Sequence, residues 1–238
     1  MAKVIENVTF TNQERAIVEA GHDLLTIKNV NINMVELNAT STSATLGCDL
    51  RKNKLVDIDT LNIKAVDLKR KYAYGLRLGY SGDATSGNEL VRMKNSYIDG
   101  FGPSNQGDYN KSNRDGVALE FGELWLKNTV IASVSDACID AKGPVKAQNC
   151  VFKNGYRDIR IWPGQTVILS NCQVGTVWFK DNTGTLILYN TMMPSVETDS
   201  GSASVPKVIS ENPLNQEWFT GIKRLNLTAE QLEWLKAL

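Results

Sequence analysis

The chain has 238 residues, 42% of them hydrophobic, and its 26 basic and 26 acidic side chains balance to a formal net charge of zero. That composition fits one or two domains with a real core and argues against a nucleic-acid glove or a membrane-surface protein, both of which need an excess of positive charge. The single histidine, His22, lies in the turn-like Ala20-Gly21-His22-Asp23, which removes multi-histidine zinc sites and histidine proton relays; the four cysteines form no Cys-x-x-Cys pair.

No apolar run approaches the ~20 residues of a membrane span, and residues 1–30 lack the basic-then-apolar pattern of a secretory leader. A Gly-x-Ser-x-Gly nucleophile elbow is also missing, so a serine hydrolase is not expected.

From the N-terminus, one pattern recurs: apolar-x-apolar-x-Asn-x-x-apolar. A weak copy at Lys3 to Phe10 precedes Leu25 to Ile32, and Val56 to Ile63 carries Thr60 in place of the asparagine. Full copies follow at Val91 to Ile98, Leu124 to Ile131, Val145 to Phe152, Val167 to Val174 and Leu186 to Met193. The anchors Asn7, Asn29, Thr60, Asn95, Asn128, Asn149, Asn171 and Asn190 are spaced by 22, 31, 35, 33, 21, 22 and 19. A repeat of about 20 residues with a polar residue at a fixed corner predicts an all-β fold, a single-stranded parallel β-helix of about eight coils over 1–194. With coils ~4.8 Å apart, the corner amides are expected to bond one another as a buried internal ladder. The excess in the longer spacings is looped out.

A second strand column contains Gly75 to Leu78, Val117 to Phe121, Ala137 to Ala141, Asp158 to Ile161 and Val177 to Lys180. Stepping by 20 superposes Leu119, Ile139, Ile159 and Phe179 inward, and Glu120, Asp140, Arg160 and Lys180 outward. Residues 195–211 read as a Ser- and Gly-rich linker. Beyond it, 212–238 reads as a helical extension: Thr228 to Gln231 forms a capping box, and Leu232, Leu235 and Leu238 share one face. This tail covers the solenoid or joins copies into an oligomer.

The densest ionisable cluster spans two adjacent coils, with Asp136, Asp140 and Lys142 on one and Arg157, Asp158 and Arg160 on the next. Asp115 and Glu120 add acids from the preceding coil. Trp162 and Trp178 adjoin this column outwardly, and the insertions at 79–89 and 100–114 bring Tyr80, Phe101 and Tyr109 toward it. Such a surface suits an anionic sugar chain, with aromatics to stack on the rings. The same charges also read as a salt-bridge ladder that fixes register, and the aspartates as turn residues. Cys150 and Cys172 follow successive anchors at a disulfide-compatible spacing, but Thr129 and Thr191 share their column, which favours packing of small side chains.

These coils and the Ser135-Asp136-Ala137-Cys138-Ile139-Asp140-Ala141-Lys142 stretch resemble the pectin-lyase-like superfamily over roughly residues 3–193. The resemblance implies right-handed coils, an extracellular setting and an acidic polysaccharide as partner, cleaved by β-elimination. It also implies a calcium ion on Asp136 and Asp140, with Asp158 beside them; Ser135 stands where some relatives have a further aspartate. Elimination needs a neutralised uronate carboxylate and a base of lowered pKa. The base is then Lys142 or Arg160, and the neutraliser Arg157 or the calcium. Glu120, Lys180, Trp162, Trp178 and Tyr109 would bind the sugar. The rivals are a non-catalytic β-helix serving as a glycan-binding, adhesion or phage-tail module, and a scaffold piece of a larger secreted chain.

Overall fold

The computed structural model describes residues 1–36, 44–181, 183–192, 194–198 and 207–211. There the chain is nearly all β, with parallel strands in two curled sheets of 13 and 8 strands, as in a parallel β-helix. The described residues hold one 3-10 turn, Ala84–Ser86, and no helix long and apolar enough to cross a membrane. Each strand pairs with its counterpart one repeat away, so like residues stack. Ile27, Ile58, Met93, Leu126, Ala147, Leu169 and Leu188 form one such interior column, every member buried. Burial of these columns from both sheets supplies the hydrophobic driving force along the whole axis.

All eight anchors stand at one corner with positive φ, from 44° at Asn190 to 62° at Thr60. The left-handed conformation costs most L residues roughly 1–2 kcal/mol, and asparagine is among the few that visit it routinely. Asparagine therefore recurs for its backbone as much as for its side chain. The amide ladder exists, but on the outside. Asn29 Nδ2 donates to Asn7 Oδ1 at 3.1 Å, Asn128 to Asn95 at 3.2 Å, Asn149 to Asn128 at 3.3 Å and Asn190 to Asn171 at 2.5 Å, and all these asparagines are exposed. The left-handed turn throws the anchor outward and sends the next side chain in. That interior column is Ser96, Thr129, Cys150, Cys172 and Thr191, each donating to the carbonyl two residues earlier. Cys150 and Cys172 are free and buried, in keeping with small-residue packing.

Thr60 is the misfit. A β-branched residue at φ 62° is strained, its hydroxyl bonds Asp59, and Asn95 turns to Asp59 Oδ1 at 2.9 Å instead of an amide below it. Thr60→Asn is expected to stabilise the protein by about 1 kcal/mol through relief of that strain, read as a raised urea midpoint. An unchanged or lowered midpoint would refute this account of the corner.

The segment 195–211 is more than a linker. Ser195–Thr198 pairs with Thr176–Phe179, and Lys207–Glu211 pairs with Thr185–Tyr189, so both sheets gain a further strand. The helix expected in 212–238 lies outside the described residues.

Candidate functional site

The outer wall of the smaller sheet carries the predicted cluster, in a register that differs from the expected one. Val117, Ile139, Ile159 and Val177 stack inward, which places Ala118, Asp140, Arg160 and Trp178 together on the outside. The steps are 22, 20 and 18, because the corners between strands differ in length. Glu120 stacks instead with Lys142, Trp162 and Lys180: the Lys142 amide donates to the Leu119 carbonyl, that of Trp162 to Ala141, and that of Lys180 to Ile161. The single expected column of Glu120, Asp140, Arg160 and Lys180 is thus two adjacent columns.

Trp162 is the hub of these columns. Its Nε1 donates to Asp140 Oδ1 at 2.5 Å, and the cationic groups of Lys142, Arg160 and Lys180 lie 4.9, 5.2 and 6.0 Å from the centre of its ring. Lys142 Nζ also reaches Glu120 Oε2 at 2.7 Å and Asp140 Oδ2 at 3.3 Å. Burial alone would lower the Lys142 pKa, but the carboxylates of Asp140 and Glu120 prevail and raise it above the ordinary lysine value. A lysine so held keeps its proton at neutral pH and has no free lone pair to offer a sugar carbon, which weighs against the role of base expected for it.

Arg157 forms a second centre, deeper in the wall. It is 3% exposed, ion-paired to the 2% exposed Asp136, and enclosed by the rings of Tyr156, Trp178 and Tyr109 at 4.6, 4.7 and 5.3 Å. Tyr156 and Trp178 pack together with centroids 5.3 Å apart, and Arg160 lies 5.9 Å over Tyr109. Burial pushes the Asp136 carboxyl upward, while Arg157 and Arg160 act against it. A guanidinium so enclosed holds the wall together, and it is not placed as the neutraliser of a bound uronate.

The three aspartates do not fit a calcium ion. Asp158 directs Oδ2 to the amides of Gly175 at 2.7 Å and Thr176 at 3.1 Å, with Oδ1 toward the Gly155 amide at 3.4 Å, so it fastens the next corner of backbone. Asp136 is taken by Arg157, and Asp140 by Trp162 and Lys142. Among the described residues no three His, Cys, Asp or Glu side chains are grouped to hold a metal. Hard cations require several converging oxygens, and these diverge.

Asp115, one of the two acids the preceding coil adds to the cluster, is buried. It lies beside Tyr74 in the pairing and accepts the Ala137 amide at 3.0 Å. Burial first, then the charges of Asp140 and Asp136, raise its pKa well above the usual carboxylate range. A carboxyl raised in the folded state gives stability that is complete below the unfolded value near ~4 and is lost as pH rises toward the folded value. Asp115→Asn keeps an oxygen for Ala137 and removes the titration. Relative to wild type, the variant should gain up to ~1.4 kcal/mol per pH unit over that window. Denaturant titrations at several pH values measure this, and parallel curves for the two proteins would refute it.

Of the loop aromatics, Tyr80 is exposed, Tyr109 is half-buried against the two arginines, and Phe101 lies wholly in the core, where it bridges Val134. An open groove of ≈ 360 Å³ runs beside the wall between Ser81, Phe121, Lys142, Trp162 and Pro163. His22 is paired with Glu19 at 3.0 Å, away from this wall. A groove of ≈ 410 Å³ on the larger sheet is also lined by charges, but Arg92 pairs with Asp57 and Lys94 with Asp59 across adjacent strands. No family model, curated protein or solved structure matches the chain.

Proposed function

We propose that the chain is a right-handed parallel β-helix of about eight coils, of the pectin-lyase-like kind its repeats resemble, and that its outer wall binds an acidic polysaccharide without cleaving it. The observation that carries this reading is Trp162 ringed by Lys142, Arg160 and Lys180, beside an open groove. An indole presents a flat apolar face to a sugar ring, and nearby cations attract the carboxylates of successive residues. Parallel strands set outward residues in rows along the axis, and such a wall suits an extended polymer better than a small ligand. Elimination has less support, because Lys142 is held protonated and Arg157 is spent on Asp136.

Calorimetric titration of the full chain with pectate, alginate and a neutral polysaccharide tests the reading. Acidic polymers are expected to bind, more weakly as salt rises, with Trp162→Ala losing about tenfold in affinity, or ~1.4 kcal/mol. Failure to bind any acidic polymer would sink the reading. Release of unsaturated uronates, followed by ultraviolet absorbance, would replace it with the eliminative one.

A further inference from the structure

Three strands of the smaller sheet, N-terminal to the wall, bring together residues far apart in sequence. Arg15–Ala20 pairs with Thr45–Arg51, which pairs in turn with Tyr72–Leu78, and Asp49 lies opposite Arg77. Asp49 is 1% exposed and is gripped by two guanidiniums. Arg51 donates through Nε at 2.9 Å and Nη2 at 2.6 Å, Arg77 through Nε at 3.2 Å and Nη2 at 2.7 Å. Both guanidiniums also lie on the Tyr80 ring, at 5.2 and 5.4 Å from its centre. These contacts fix both forks in place through Nε and Nη2 and leave the Nη1 groups outside the bonds to Asp49.

The forks line a cavity of ≈ 550 Å³ together with Arg15, Tyr72 and Tyr74. Three arginines against one buried aspartate leave an excess of positive charge there, since Glu120 at the cavity edge is matched by Lys142. Ser81 and Glu120 border both this cavity and the groove beside Trp162, so the two adjoin. Tyr80 and Tyr72 are 44% and 39% exposed.

The geometry points to a subsite for the anionic group of an acidic sugar, a carboxylate or a sulfate ester, received by Arg51, Arg77 and Arg15 while its ring rests on Tyr80 or Tyr72. Planar forks match such oxygens two at a time, and forks already fixed lose little freedom on binding. The subsite extends the binding reading of the wall, and it rests on that reading for the polymer that would thread both.

Titration of the full chain with uronate, sulfated and neutral oligosaccharides, and separately with free sulfate, tests the subsite. Arg51→Gln and the exposed Arg15→Gln are expected to weaken the acidic oligosaccharides roughly tenfold or more and to leave the neutral one unchanged. Comparing uronate with sulfated chains tells which anion the site prefers. Acidic ligands bound by both variants as by wild type overturn the subsite; if Trp162→Ala still loses binding, the reading of the wall survives that result. Conversely, arginine-dependent binding of free sulfate with polymer binding indifferent to Trp162→Ala sustains the subsite and overturns the wall. Absence of binding to every probe overturns both.

Discussion

Replacing Asp136 with alanine is expected to destabilise the protein by about 3–5 kcal/mol, because it strands the Arg157 guanidinium as an uncompensated buried charge. Both partners are at most 3% exposed, and the three rings around Arg157 hold it where water cannot replace the lost carboxylate. Lys142→Ala provides the contrast. Its side chain is 24% exposed, and partly solvated pairs of that kind are worth roughly 1 kcal/mol. A double variant, Asp136→Leu with Arg157→Met, is expected to recover most of the loss, since a buried pair replaced by apolar groups of similar volume is close to neutral. Urea denaturation of the three variants measures the order. A loss below about 1 kcal/mol for Asp136→Ala would show that the pair is not the anchor of the wall, and would return Arg157 to the list of groups available to a ligand.

The repeat announced the architecture because stacking forces like residues into like places. The eight anchors read from the sequence all have left-handed backbone, and even Thr60, the exception in sequence, is the strained one in the structure. The direction of their side chains was not legible: a polar residue at a fixed position suits a buried ladder or an exposed one, and only the sign of φ decides between them. Register failed for a related reason. The anchor spacings show that windings differ in length, but they do not say on which corner the difference falls, so a constant step of 20 aligned Glu120 with Asp140 instead of Lys142. Better signals were present. Gly47-Cys48-Asp49-Leu50, Gly75-Leu76-Arg77-Leu78 and Gly116-Val117-Ala118-Leu119 share a glycine followed two residues on by the outward position, and aligning them gives the observed pairing of Asp49 with Arg77 and Arg77 with Ala118. The same alignment places Arg51 and Arg77 near each other. The members of the cluster were therefore legible from residue type, while their partners, which decide the acid–base behaviour of Lys142 and Asp115, depended on a register the sequence left open.

The corner behind Glu120 fixes that register, and it should be the least tolerant place in the fold. A Cβ at Gly122, where φ is +93°, would lie 1.7 Å from the Asn88 carbonyl oxygen, and one at Gly143 would lie 2.1 Å from the Gly122 carbonyl oxygen. Three successive windings cross there with backbone against backbone, and it is this close stacking that sets Glu120 beneath Lys142 and Trp162. Neither obstacle is the flexible end of a side chain. Gly122→Ala is accordingly expected to cost about 4 kcal/mol, from left-handed strain added to an overpacked contact, and Gly143→Ala about 3 kcal/mol from the contact. Gly21→Ala and Gly164→Ala separate the two causes: φ is +78° and +71°, but nothing lies within 4 Å of either Cβ, so strain alone should cost each roughly 1 kcal/mol. Thermal and urea unfolding of the four variants give the comparison, and polysaccharide affinity at a temperature where all remain folded gives its functional counterpart. If Gly122→Ala unfolds no more readily than Gly21→Ala, the corner yields without cost, and the alignment that brings the cations around Trp162 has another origin.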